Sequence, residues 1–87
     1  MKVMRWHTHE GWRCAIVKPG RTKLHVLTME DFGVRHHAVP LDEERHMLPL
    51  THRGREYPLA RARRIFSAFG RERGITAAAK EILEEAT

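Results

Sequence analysis

From Gly11 to Leu50 the chain alternates apolar and polar residues and breaks at recurrent turn signals. That pattern predicts short antiparallel strands joined by tight turns. The segment Trp12 to Lys18 adds a sharper constraint. Trp12, Cys14 and Ile16 would point to one side of the strand, and Ala15 and Val17 to the other. A flat sheet with one wet face cannot bury both sets, so the sheet must curl on itself or be covered by helix. So small a sheet leaves no room for a deep active site, which moves the expectation from catalysis toward recognition.

The strands follow from the alternation. Met1 to Thr8 sets Val3, Arg5 and His7 on one face and Met4, Trp6 and Thr8 on the other. Glu10-Gly11 supplies a turn, and Trp12 to Lys18 a second strand. Lys18-Pro19-Gly20-Arg21 predicts a type II turn, with proline presetting φ and Gly20 taking positive φ. Lys23 to Met29 forms a third strand, Glu30 to Gly33 a turn, and Val34 to Val39 a fourth strand that Pro40 ends. Asp42 to Arg45 reads as one helical turn, with His46 to Leu50 a short closing strand.

The residue order over about 3–50 resembles a Tudor-type member of the SH3-like barrels. The residues that carry the resemblance are Trp12, Ala15-Ile16-Val17, Leu24 to Leu27, Asp31-Phe32-Gly33, Val39-Pro40-Leu41 and Leu48-Pro49-Leu50. It implies a five-stranded SH3-like barrel over residues 1–50, and with the two helices read from the residues that follow, the expected fold is α+β, mainly β. Tudor domains that bind methylated arginine or lysine hold the cation against aromatic ring faces. Carried over by spacing, the cage positions fall on Trp6, Arg13, Met29 and Phe32. Arg13 puts a like charge where the cation would sit, so the resemblance implies only a remnant cage. The competing reading of Trp6, Trp12 and Phe32 is core and rim packing.

Residues 51–87 read as a polar, basic connector and two helices packed on the barrel as part of one domain. Tyr57-Pro58 opens the first helix, with proline in its first turn. Leu59, Ala62, Phe66 and Phe69, joined by Ile65, make its apolar stripe, and Arg61, Arg64 and Arg71 fall opposite with Arg63 on a flank. Gly70 or Gly74 stops it. Thr76 caps a second helix whose face is Ile75, Ala79, Ile82, Leu83 and Ala86. The Gly74 to Ala78 segment resembles the entry of a helix-turn-helix, but no recognition helix follows it. Glu81, Glu84 and Glu85 are expected to face the arginines of the preceding helix.

The chain has 87 residues and a formal net charge of +5, unevenly placed. Residues 57–74 carry five Lys/Arg against one Asp/Glu, and residues 75–87 carry one against three. A clustered positive patch focuses field on a polyanion. The candidate nucleic-acid contacts are Arg53, Arg55, Arg61, Arg63, Arg64, Arg71 and Arg73, aided by Lys18, Arg21 and Lys23 of the turn. DNA and RNA are both open. A protein-interaction module docking on a larger complex is the alternative. The single cysteine, Cys14, suits a reducing cytoplasm, and no apolar run is long enough to span a bilayer. The seven histidines include His7-x-His9 and His36-His37, but no metal-site spacing accompanies them. No GxSxG, Gly-rich phosphate loop or supported carboxylate pair occurs, so neither catalytic residues nor cofactors are expected.

Overall fold

The computed structural model describes residues 1–85, with side chains through Glu84. The fold is α+β and mainly β. Strands β1 (Lys2–Thr8), β2 (Gly11–Pro19), β3 (Lys23–Glu30), β4 (Gly33–Pro40) and β5 (Met47–Pro49) form one antiparallel sheet in the order β4-β3-β2-β1-β5. A 3-10 turn, Leu41–His46, carries the chain from β4 to β5 and lies against β3 and β5. A two-stranded hairpin follows, β6 (Thr51–His52) and β7 (Arg55–Glu56), then α1 (Leu59–Arg73) and α2 (Ala77–Glu85). β4 and β5 do not pair, so the sheet is open rather than a closed barrel.

Both faces of the sheet are apolar, as the doubly hydrophobic β2 requires. On one face Val3, Ile16 and Leu27 lie side by side across β1, β2 and β3. Together with Val34 they pack against Ala62 and Phe66 of α1 and Ala79 and Leu83 of α2. The other face carries Met4, Trp6, Ala15, Val17, Leu24, Val26 and Met47, with Val39 packed against them. Met47 and Val39 sit on opposite edge strands, which a flat five-stranded sheet would hold about 19 Å apart. Their membership of one cluster means that the sheet curls around this second core.

The helices are fastened to the sheet through backbone. Val34 N–H donates to Gly74 O at 3.0 Å, and Thr76 N–H donates to Val34 O at 3.2 Å. Ile75 thereby forms a parallel bridge with Val34, making the interhelical turn a one-residue extension of the sheet. Two glycines permit this approach. Gly33 (φ 137°) and Gly74 (φ 126°) both occupy backbone conformations that side chains disfavour. A Cβ on Gly33 would also land on the Gly74 carbonyl. Thr76 caps α2, its Oγ1 accepting from Ala79 N–H at 3.2 Å.

Several local expectations are corrected. Gly20 does not take positive φ, so there is no type II turn at Lys18–Arg21. Strand pairing runs on through Pro19↔Leu24, and Gly20 N–H donates to Lys23 O at 2.8 Å, which moves the turn one residue along. Glycine serves there for space, since a Cβ would meet His25 and the Lys23 carbonyl at 2.9 Å. The first turn is His9-Glu10, because Gly11 already pairs with Thr8. The basic connector, residues 51–56, forms a two-stranded hairpin, with Arg53 (φ 53°) and Gly54 (φ 76°) at its tip. Ile65 is 45% exposed and outside the α1 stripe, since it lies about a quarter-turn from the Ala62–Phe66 axis. Ala86 and the side chain of Glu85 fall outside the described residues.

Gly33→Ala is expected to lower unfolding free energy by about 2–3 kcal/mol, from strain plus collision with the interhelical turn. Gly54→Ala, whose Cβ would point into open space, is expected to cost about 1 kcal/mol from backbone strain alone. Urea unfolding followed by far-UV circular dichroism measures both, and equal losses would refute the role given to the clamp.

Candidate nucleic-acid interface

The outer face of α1 is set by helical period. Ala62, Phe66 and Gly70 are buried against the sheet, so Arg61, Arg64 and Arg71 emerge on the opposite side. They line a stripe about 15 Å long, which matches roughly four nucleotide steps along one strand. None of the three has an acidic partner among the described residues. Arg53 and Arg55 stand exposed on the β6–β7 hairpin, also without one. Across the hairpin and α1 only Glu56 and Glu72 offset seven arginines.

Two arginines of this segment are engaged in the fold. Arg63 is half-buried and donates through a terminal nitrogen to the carbonyl of Leu83 in the last turn of α2, where helix carbonyls lack intrahelical partners. Arg73 donates to the Asp31 carbonyl at 3.3 Å and lies over the Phe69 ring at 5.7 Å. The expected screening by α2 is only partly set up. Glu81 and Glu84 share the outer face of α2 with Lys80, away from Ala79 and Leu83.

Lys18, Arg21 and Lys23 are not brought to the C-terminal end of α1. They lie at the β2–β3 end of the meander, whereas Arg73 reaches the β3–β4 turn at the other end. At the β2–β3 end, His25 and His36 stack with ring centroids 5.1 Å apart and share a 2.9 Å hydrogen bond. Burial, and then the neighbouring His25, lower the pKa of His36.

The proposed cage positions divide between the two sheet faces and a turn. Trp6 and Arg13 are direct cross-strand partners on the concave face, where they line an open cleft of about 780 Å³. Met29 packs against the helix-side core, and Phe32 sits on the β3–β4 turn, 60% exposed. Several polar groups of the cleft bond to one another. Trp6 Nε1–H donates to Glu43 Oε1 at 3.2 Å, and its ring meets the His37 edge at 5.3 Å. Thr28 is buried; its hydroxyl donates to Glu30 Oε1 at 3.2 Å and lies 2.8 Å from His37 Nε2. A hydroxyl has one proton, so His37 Nε2–H is the donor in the second bond. Arg13 joins Glu10 at 2.7 Å and Glu30 at 3.6 Å. Burial first, and the Arg35 charge next, lower the pKa of His37, against the opposing pull of Glu30.

One surface was not singled out by sequence. On the helix-side face, beyond the reach of the helices, Trp12 stands opposite His7 with ring centroids 4.8 Å apart, and the Arg5 guanidinium lies 4.9 Å from the indole centroid. Trp12 is 49% exposed, and Leu48, paired with Arg5, is similarly open. Cys14 completes this row beside Arg5; partial burial raises its pKa, which keeps it a neutral thiol at pH 7. The two-residue turn between Thr8 and Gly11 is the signal that could have revealed the pairing.

No protein-family description, curated protein or solved structure matches the chain. No cluster of three or more His, Cys, Asp or Glu residues able to hold a metal occurs among the described residues. No helix among them is long and apolar enough to cross a membrane.

His36 and His37 both have folded pKa values below the ordinary 6.5. The unfolded chain therefore binds their protons first, and the stability they contribute is present above about pH 6.5 and lost as pH falls through the folded values. Urea midpoints are expected to drop between pH 7.5 and 5.5, and to drop less in the His36→Gln/His37→Gln double variant. An unchanged slope in that variant would refute the assignment.

Proposed function

We propose that the chain is a non-catalytic basic binding protein that engages nucleic acid, DNA or RNA, through the outer arginines of α1 and the β6–β7 hairpin. The observation that carries this reading is the Arg61–Arg64–Arg71 stripe, exposed along one helix face and free of acidic partners among the described residues. Guanidinium groups so arranged suit bidentate phosphate contacts, and phosphate contact releases counterions without reading sequence. Arg53 and Arg55 extend the surface, while Arg63 and Arg73 hold the helix in place. Lys18, Arg21 and Lys23 would serve a separate, lesser contact. The reading places the protein in the cytoplasm, with no cofactor.

The fold part of the reading is an SH3-like, Tudor-resembling half-open barrel. Its support is the strand order, with a 3-10 turn leading into a short fifth strand on β1. The resemblance then bears on architecture, since the sheet parts Trp6 and Arg13 from Met29, and Phe32 sits apart on the β3–β4 turn. The second reading, a module that docks on a larger protein complex, draws on exposed Leu41, Leu48 and Ile65, on the outer edge of β5 and on the part of the β4 edge beyond the Val34 bridge.

Affinity for a labelled oligonucleotide should fall steeply between about 50 and 200 mM salt, and Arg61→Ala/Arg64→Ala should flatten the log–log slope by about 1.5–2. Fluorescence polarisation measures both. Affinity independent of salt, or a slope unchanged in the double variant, would overturn the assignment.

A further inference from the structure

We propose that Trp12 is a stacking platform for an unpaired base, and that the nucleic acid taken by this chain is single-stranded. This rests on the nucleic-acid reading above and adds a ligand class to it. Trp12 is the one tryptophan left half exposed, at 49%, whereas Trp6 is buried with its N–H satisfied by Glu43. It projects from a paired strand rather than from a loop, so its backbone is already ordered before any ligand arrives. Arg5 and His7 reach it from the neighbouring strand, at 4.9 Å and 4.8 Å from the indole centroid. Arg5 has no acidic partner among the described residues, so its charge is available to a phosphate while its guanidinium carbon lies over the ring.

A π-face flanked by a cation is what a base and its backbone need together. A paired base keeps its faces inside the duplex stack and cannot use such a platform. Charge favours the same occupant. The nearby acids Glu10 and Glu30 are held by Arg13 on the opposite sheet face. Phe32, on the β3–β4 turn at the same end of the sheet, offers a second exposed ring.

The test uses the full chain with fluorescein-labelled oligothymidylate and a blunt duplex of equal length. Oligothymidylate is expected to bind about tenfold more tightly than duplex, and Trp12→Ala to remove about tenfold of that affinity. Duplex affinity and salt slope should stay unchanged, and Trp12→Phe should retain most of the binding. Intrinsic fluorescence should be quenched by oligothymidylate in the parent chain and not in Trp12→Phe, where Trp6 alone reports. This second readout decides the matter if Trp12→Ala does not fold. Equal affinity for both probes, with no effect of Trp12 variants and no quenching, would overturn the platform and leave the phosphate-binding reading standing. Binding of neither probe would end both. A dimer in sedimentation that Trp12→Phe weakens, with no quenching, would assign the patch to a second copy of the chain and overturn the proposal.

Discussion

Ala15 and Ile16 are neighbours on one strand, and both are fully buried, against different layers. A strand apolar on both faces needs two covers, and this chain supplies them by different means. The curl of the sheet brings its two edges around one core, and α1 and α2 close over the other. Each cover removes apolar area that would otherwise face water, and neither core is large enough to hold so small a domain by itself. The helices in turn depend on the backbone bridge between Val34 and Ile75, which fixes where their apolar stripes meet the sheet.

Chemistry is left where the covers stop. On the concave face the apolar core gives way to Thr28, Glu30, His37 and Arg13, which satisfy one another and keep a buried hydroxyl from being orphaned. That arrangement stabilises the concave face of the open sheet and leaves these four groups little unsatisfied polarity for a ligand. On the helix side, α1 turns its arginines outward because its inner face is committed to Phe66 and Ala62. Beyond the helices the sheet ends in Arg5, His7 and Trp12. Outer arginines and the row around Trp12 are among the parts of the surface that packing does not consume.

Much of the architecture was legible in the chain. Period-two alternation located β1 to β5 within a residue or two, and the helical spacing of Ala62, Phe66 and Phe69 located α1. Thr76 announced the cap of α2. Turn details were less legible, because a Pro-Gly pair has more than one solution: pairing through Pro19 won over a type II turn. Ile65 was misplaced because apolar identity does not record a quarter-turn offset. The Thr28–His37–Glu30 network could not be read, since strand register across two turns sets it.

The chain by itself determined the strand and helix periods, the doubly apolar second strand and the excess of arginine before the acidic tail. Those are local properties, written in side-chain order. Tertiary structure alone decided that the sheet stays open, that Gly33 and Gly74 meet, that Met29 lies on the far side from Trp6, and that Trp12 keeps half its surface in water. Each of these depends on which strands pair and where a helix ends on a face, contacts between residues far apart in sequence that no local pattern encodes.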